Sequence, residues 1–352
     1  MRTRSTDATP TDATLIDVVA GDGTTLRTLH VPSCPERARG TVLIRTPYDA
    51  SRLVPEASSW ARAGYHAYVQ DVRGRHGSGG RWIPYEHEGS DGADTVRALA
   101  TAGRVQGALL LSGSSYGAHA ALEAARVLTR TGGPRPAGIV AMVPALGLWD
   151  TAHAPDGTPR VRDRLGWWLQ HGCGRVSGPP VSPAALDLLC ARAEQGGVRS
   201  VLDDLPPEIL AVLPRSTAAT AQADLPVLWR RLWDAPRPDP VARWSPMNLP
   251  VLVVTGDHDF FAEDARLLAG SWPGPASLVT GDWGHGMGTE LAQDHPVRAA
   301  LRTWGGLMPV VTAWAEAAAA YHPTTLQARR LQTWLRLDPR SGWIPTSPRR
   351  AA

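Results

Sequence analysis

The 352-residue sequence predicts an α/β fold, in which a mainly parallel sheet is flanked by helices and an inserted helical cap interrupts the order of strands. Apolar runs alternate with helical segments over residues 15–149, an alternation typical of sheets covered on both faces. It stops over residues 150–245, where prolines and tryptophans accompany helical pieces, and resumes over 246–305. We therefore assign 15–149 and 246–305 to one core and 150–245 to the cap.

The elements follow from local patterns taken in chain order. Alternating apolar and polar residues around Gly21-Asp22-Gly23 predict a β-hairpin over 15–31. Apolar and β-branched runs predict further strands at 40–45, 65–72, 109–111, 138–143, 251–254 and 276–280. Helical periodicity or Ala-rich composition predicts helices at 56–63, 89–102, 118–125, 184–192, 225–232, 262–268 and 296–304.

The two ends of the chain differ from the core in composition. Residues 1–14 are polar and predict a disordered tail without the apolar segment of a secretory signal. Residues 306–352 predict a C-terminal helical extension, Ala-rich over 310–321 and then rich in Arg and Pro.

Composition excludes several classes of protein. The chain is 43% hydrophobic and 20% charged with a formal charge of +3, and all 36 of its Lys and Arg residues are arginines. These arginines are scattered without interleaved aromatic residues, so we expect no nucleic-acid partner. No apolar stretch has the length of a membrane span, and we expect no membrane association. Three cysteines without metal-ligand spacing predict no disulfide framework, no metal and a cytoplasmic location.

A Gly-x-Ser-x-Gly sequence lies between a predicted strand and a predicted helix. Gly113 and Gly117 flank Ser115, where a sharp turn brings strand and helix too close together for a Cβ at either glycine. Such a turn projects a serine hydroxyl alone toward a base, which a weak nucleophile requires. Ser115 is therefore the predicted nucleophile.

An aspartate and a histidine follow two later strands. Asp259 comes after the strand at 251–254, and His285 comes after the strand at 276–280. Loops at the carboxyl ends of parallel strands meet at one edge of the sheet. The chain order Ser115, Asp259, His285 is that of the α/β-hydrolase fold, in which the imidazole moves the serine proton and the carboxylate orients the imidazole.

Each of these assignments has an alternative from the sequence alone. Asp257 is a second candidate for the carboxylate, and residues 257–259 also fit a solvated loop or a metal site. The candidate bases besides His285 are His119, His153, His171 and His258, although only His285 directly follows a late strand.

Five sequence blocks, in order along the chain, resemble the cocaine esterase and X-Pro dipeptidyl-peptidase group of serine hydrolases. They are Thr-Pro-Tyr-Asp at 46–49, Asp-Val-Arg-Gly-Arg-His-Gly-Ser-Gly-Gly at 71–80, Gly-Ser-Ser-Tyr-Gly at 113–117, Gly-Asp-His-Asp-Phe-Phe at 256–261 and Asp-Trp-Gly-His at 282–285. The resemblance covers roughly residues 15–304. It implies that Asp259 rather than Asp257 is the catalytic carboxylate.

The resemblance also implies further site residues. The tyrosine of the first block, Tyr48, would donate its hydroxyl to the oxyanion, with the backbone N–H of Tyr116 as the second donor. An aromatic residue two positions after the catalytic aspartate would line the acyl pocket, which here is Phe261. Trp149 is a looser candidate for the same pocket, with core packing as the alternative.

The sequence departs from this family's pattern in two places. Members usually carry a C-terminal jelly-roll domain, whereas about fifty residues follow the last core helix, and residues 331–336 and 342–345 resemble only its start. The family's Gly-Trp-Tyr-Asp is Gly-Asp-His-Asp at 256–259. If Asp257 faces the pocket, it favours a cationic substrate; if it faces solvent, it has no effect on the substrate.

Together these observations predict a serine hydrolase that cleaves an ester or amide through an acyl-enzyme without a cofactor. We expect a small-molecule or short-peptide substrate, and a homo-oligomer if a second copy covers surface that the jelly roll covers in relatives. The alternatives are an acyltransferase or cyclase with the same triad, indicated by an apolar cap that excludes water, and a non-catalytic binding protein of this fold.

Overall fold

A ten-stranded sheet forms the centre of the computed structural model, which describes residues 13–212, 224–322 and 331–347. The strand order is β1-β2-β4-β3-β5-β6-β7-β8-β9-β10. The strands are β1 Thr14–Val19, β2 Thr25–Val31, β3 Gly40–Thr46, β4 Tyr65–Asp71, β5 Ala108–Ser114, β6 Gly138–Met142, β7 Val251–Gly256, β8 Ala276–Gly281, β9 Trp334–Asp338 and β10 Gly342–Thr346.

Most of this sheet is parallel. The seven neighbouring strands from β4 to β9 pair in parallel, and only β1, β2 and β10 add antiparallel edges. Because parallel pairing aligns the carboxyl ends, the loops after β5, β7 and β8 lie at one edge. The predicted mainly parallel sheet flanked by helices is confirmed.

Helices connect the strands on both faces. They are α1 Val54–Arg62, α2 Glu88–Thr101, α3 Tyr116–Thr131, α4 Leu148–Ala152, α5 Val161–His171, α6 Pro183–Gly196, α7 Pro207–Val212, α8 Leu225–Asp234, α9 Pro240–Trp244, α10 Ala262–Ser271, α11 Pro296–Thr303 and α12 Met308–Ala319. The helices α4 to α9 lie between β6 and β7, in the segment predicted as a cap.

Side-chain alternation along the central strands builds two apolar cores. Leu43 and Leu111 pack with α2, α3 and α10 on one face of the sheet. Val42 and Leu110, one position earlier in each strand, pack with α1, α11 and α12 on the other face. Successive strand residues point to opposite faces, so strands that are apolar at every position are buried on both sides.

The cap helices bury a cluster of their own. Trp168, Trp229 and Trp233 are at its centre, together with leucines of α5, α6 and α8. The tryptophans noted in this segment therefore mainly pack cap helices against each other. Trp167, next to Trp168, is only partly buried in the cluster and extends toward the core.

The structure corrects the predicted ends of the chain. Residues 306–352 were predicted as a helical extension, yet in its described parts, 306–322 and 331–347, only α12 is an α-helix, and β9 and β10 form a hairpin that extends the sheet beyond β8. Gly342, whose φ of 80° lies in the left-handed region, is the first residue of the second strand of this hairpin. Of the predicted tail, residues 1–12 lie outside the described residues, and Thr14 already belongs to β1. Among the described residues, no helix combines the length and the apolar character needed to cross a membrane.

Candidate active site

Ser115 occupies a strained turn between β5 and α3. Its backbone has φ 54° and ψ −117°, a conformation that residues with a Cβ rarely adopt. A Cβ on Gly113 would overlap the Gly117 carbonyl, and one on Gly117 would lie 2.9 Å from the carbonyl oxygen of Arg45. The Ser115 N–H donates to the Met142 carbonyl at 2.9 Å, which holds the turn against β6. The strand, turn and helix predicted for this motif are therefore present.

Two hydrogen bonds connect Ser115 to His285 and Asp259. His285 Nε2 lies 2.9 Å from Ser115 Oγ, and its Nδ1 lies 2.8 Å from Asp259 Oδ1. The Asp259 side chain is fully buried, and it also accepts hydrogen bonds from the Thr255 hydroxyl at 3.0 Å and the Phe261 N–H at 3.1 Å. These contacts fix the carboxylate, which in turn fixes the imidazole with Nε2 toward the serine.

Tyr48 and Tyr116 lie beside the serine. The Tyr48 oxygen accepts a hydrogen bond from Trp167 Nε1 at 2.8 Å, and Tyr48 lines the same cavity as Ser115. Burial raises the pKa of Tyr48, so the hydroxyl keeps its proton. Tyr116 is the first residue of α3, and its N–H therefore has no carbonyl partner within the helix.

A cavity of about 990 Å³ contains the Ser115 and His285 side chains. Phe261, which is buried, lines it, and its ring centroid lies 5.6 Å from that of His285. The ring of Phe260 stacks on His285 with centroids 4.2 Å apart. Helix α5 of the cap adds Trp167 and Arg164 to the lining of this cavity. Phe260, Trp167 and Arg164 had no role in the sequence prediction; proximity to Phe261 in the chain was the one available signal, and it applied only to Phe260.

The structure does not bring Trp149 to this cavity. Trp149 stacks on His153, with centroids 4.7 Å apart, and the Arg237 guanidinium lies 4.9 Å from its ring. These residues belong to a separate, small cavity beside α9 and α10. Trp149 lines this second cavity and not the one that contains Ser115, so its assignment to the acyl pocket was wrong.

Asp257 does not line the cavity either. Its carboxylate pairs with Arg266 at 2.9 Å and with Arg336, on β9, at 2.5 Å. These two guanidinium groups balance its charge and hold it toward the edge hairpin. The condition for a cationic substrate, an Asp257 that faces the pocket, is not met.

The other candidate histidines have separate partners. Nδ1 of His119 lies 3.0 Å from the Leu146 carbonyl, and burial lowers the His119 pKa to about 4. Nδ1 of His153 contacts the Trp149 carbonyl at 3.2 Å, Nδ1 of His171 contacts Ser177 at 2.8 Å, and His258 pairs with Asp282 at 2.7 Å. Within residues 13–212, 224–322 and 331–347, no three His, Cys, Asp or Glu side chains form a group that could hold a metal ion.

A buried carboxyl supports the turn from behind. The Tyr116 hydroxyl donates to Glu88 and accepts from the Tyr85 N–H at 2.7 Å. Burial raises the pKa of Glu88 to about 7. The protonation state of the Glu88 carboxyl therefore affects the packing of the Tyr116 side chain. The backbone N–H of Tyr116 is the predicted oxyanion donor.

The raised pKa of Glu88 predicts a pH dependence of stability. Between the ordinary value of 4.5 and about 7, the folded protein keeps a proton that the unfolded chain releases. The contribution of Glu88 to the free energy of unfolding therefore decreases as pH rises through this range, by up to about 1.4 kcal/mol per pH unit. Glu88→Gln keeps an oxygen acceptor for Tyr116 and has no proton to lose, so wild type should lose stability relative to this variant from pH 4.5 to 7.

Urea unfolding at several pH values measures this difference. The exposed Glu36→Gln is the matched control and should follow the wild-type profile. Parallel profiles for wild type and Glu88→Gln would show that Glu88 titrates normally and would contradict the prediction.

Fold and site geometry together define the α/β-hydrolase class: a mainly parallel sheet, a nucleophile on a strained strand-to-helix turn, and Ser115, Asp259 and His285 in that chain order. A family model narrows this class. Residues 22–287 match the model of X-Pro dipeptidyl-peptidase (S15 family), so the chain belongs to that family. The resemblance found in the five sequence blocks is thereby confirmed.

Similar proteins include hydrolases of related names. The chain is 26% identical over 274 residues to cocaine esterase of Rhodococcus sp. (strain MB1 Bresler), which covers 69% of this chain and 44% of that protein. An aminopeptidase from the marine sediment archaeon Thaumarchaeota archaeon superposes with a TM-score of 0.63 at 18% identity over 98% of this chain and 60% of its own. An alpha-amino acid ester hydrolase superposes with a TM-score of 0.54 at 18% identity, over 82% of this chain and 51% of its own. The two structures support the fold alone, and the chain spans less than half the length of the curated relative that it matches.

Proposed function

We propose that the protein is a serine hydrolase that cleaves an ester or amide bond through an acyl-enzyme intermediate. The observation that carries this proposal is the unbroken hydrogen-bond chain from Ser115 through His285 to Asp259, with distances of 2.9 and 2.8 Å. Ser115 is the nucleophile, His285 the general base and then the general acid, and Asp259 the group that orients His285.

The geometry supports a two-step mechanism. As Ser115 Oγ attacks the substrate carbonyl, His285 Nε2 accepts the serine proton, while Asp259 keeps the other ring proton on Nδ1 and stabilises the imidazolium. His285 then donates its proton to the leaving group. A water molecule, deprotonated by His285, attacks the acyl-enzyme and releases the acid.

We propose two hydrogen-bond donors that stabilise the oxyanion. The Tyr48 oxygen already accepts from Trp167, so its own O–H is left to donate to an oxyanion that forms at Ser115. The N–H of Tyr116 is the second donor, at the N-terminus of α3. The partial positive charge of a helix N-terminus adds to this stabilisation.

Hydrolysis is favoured over acyl transfer by the cavity lining. Transfer to a second substrate requires a site that excludes water, whereas Arg162 and Asp163 bring charge into the wall of this cavity. A volume of about 990 Å³ fits a small molecule or a short peptide.

The remaining expectations stay proposals. The packing of α4 to α8 around one apolar cluster supports a division into a core of residues 15–149 and 246–305 and a cap of residues 150–245. The cysteines Cys34, Cys173 and Cys190 are free thiols, which supports a cytoplasmic location. A homo-oligomer and the absence of nucleic-acid partners remain predictions from the sequence.

Hydrolysis of 4-nitrophenyl esters and aminoacyl-proline anilides tests the proposal. We expect turnover by wild type and none by Ser115→Ala. Asp259→Asn should lower kcat by about 10⁴-fold, because the imidazole is then held in the wrong tautomer. Asp257→Asn is a control on the same loop, and it should stay within about threefold of wild type because Asp257 pairs with Arg266 and Arg336 outside the cavity.

Two outcomes of this experiment would contradict the proposal. The first is a folded wild type that turns over neither substrate class. The second is equal loss in Asp257→Asn and Asp259→Asn, which would remove the distinction between the two carboxylates.

A second prediction concerns the oxyanion. Tyr48→Phe removes a hydroxyl donor and should lower kcat by about 10²- to 10³-fold with a small change in KM, since the donor acts mainly in the transition state. Tyr68→Phe is the control, because the Tyr68 hydroxyl donates to the Arg104 carbonyl away from the cavity. Steady-state kinetics on one ester measures both. A loss confined to KM would assign Tyr48 to ground-state binding instead.

A further inference from the structure

Arg164 is a buried cation without an anionic partner in the part of the chain that the structure describes. Its residue is 4% exposed, and its guanidinium makes no hydrogen bond or ion pair to any residue that the structure describes. Other shielded arginines have acceptors: Arg160 pairs with Asp264 at 2.6 Å, Arg243 pairs with Glu123 at 2.8 Å, and the fully buried Arg75 donates to the Pro47 and Gly174 carbonyls at 2.9 and 2.7 Å. Burying a charge is costly unless it is paired, so the position of Arg164 needs an explanation.

The guanidinium of Arg164 lies in the wall of the cavity that contains Ser115. It is 5.3 Å from the ring centroid of Phe261 and 5.8 Å from that of Phe260. The ring of Phe260 is the one that stacks on His285. Arg164 is thus one aromatic ring away from the catalytic imidazole. The two rings offset part of the cost of burying the cation, but they leave its N–H donors without acceptors.

Nearby acidic groups do not balance this charge. Asp163, the neighbour of Arg164 on α5, is exposed and lies beyond ion-pair distance. Glu56 lines the same cavity, and burial raises the pKa of its carboxyl to about 7, so it is largely protonated below neutral pH. Although burial lowers the pKa of Arg164, a guanidinium keeps its charge at any physiological pH. The cavity therefore presents an unbalanced cation to whatever enters it.

We infer that the substrate carries a carboxylate, which pairs with Arg164 while the scissile carbonyl lies at Ser115. This inference rests on the proposed hydrolase function and specifies its substrate class. The planar guanidinium can donate two parallel hydrogen bonds to a carboxylate, a match that a neutral group lacks. The substrate is either a monoester or monoamide of a dicarboxylic acid, or an ester or amide whose leaving group carries the carboxylate.

Two matched pairs of esters separate these two sources. The first pair compares the mono-4-nitrophenyl ester of adipate, which carries the carboxylate on its acyl group, with the neutral 4-nitrophenyl hexanoate. The second pair compares 4-(butyryloxy)benzoate, which carries the carboxylate on its leaving group, with its neutral methyl ester. In each pair we compare kcat/KM of the charged ester with that of the neutral ester. Wild type should prefer the charged member in one pair by at least about tenfold, the range expected for a charged hydrogen bond.

Substitution of Arg164 tests the cause of that preference. In Arg164→Gln the ratio of charged to neutral kcat/KM should fall by at least about tenfold. Arg199→Gln is the matched control: it removes the same charge from the cap, but Arg199 is exposed, does not line this cavity and pairs with Asp234 at 2.7 Å, so its ratio should match wild type. Calorimetry measures the binding of adipate to the same site without turnover. We expect adipate to bind to wild type and not to Arg164→Gln.

The outcomes distinguish this inference from the proposed function. If wild type hydrolyses esters with no preference for either charged ester, the carboxylate site is wrong and the hydrolase stands. Equal loss of charged and neutral turnover in Arg164→Gln would also overturn the inference, since Arg164 would then act by holding Phe260 and Phe261. If adipate binds through Arg164 but no ester is cleaved, the anion site stands and the hydrolase proposal fails.

Discussion

The strained turn at Ser115 is the constraint on which the rest of the site depends. A serine at φ 54° between a strand and a helix is possible only because Gly113 and Gly117 allow the two backbone segments to approach closely. The turn places the hydroxyl at the carboxyl edge of a parallel sheet. Every other group of the site must then come from a loop at that edge or from the cap above it.

The sheet and the cap contribute different parts. Parallel pairing of β6, β7 and β8 brings Asp259 and His285 to Ser115, although 170 residues separate the histidine from the serine. The cap helix α5 adds Trp167, which orients the Tyr48 hydroxyl, and Arg164, which brings positive charge. The edge hairpin acts from outside, where Arg336 holds Asp257 away from the cavity. The site is therefore cationic, the opposite of what an inward Asp257 would have produced.

Sequence reasoning reached the groups whose positions depend on strand order. Ser115, Asp259 and His285 each follow a strand directly, so the topology alone places them together. It could not place Arg164 or Trp167, because the side of α5 that faces the core is set by packing among cap helices. The orientation of Asp257 depends on Arg336, which lies in the β9–β10 hairpin. The Arg- and Pro-rich composition of that segment did not indicate a hairpin, and we predicted the segment as helical. The prediction for Trp149 was wrong for a related reason, since an aromatic residue after β6 can pack either toward the active site or away from it.

Phosphonylation by a fluorophosphonate probe, mapped by mass spectrometry, tests the central claim most directly. The probe reacts with a serine only where a base and oxyanion donors activate it. The account predicts a single modification at Ser115 and its loss in His285→Ala. An unlabelled folded protein, or a label on the neighbouring Ser112 or Ser114 instead, would show that the turn does not present an activated nucleophile and would contradict the account.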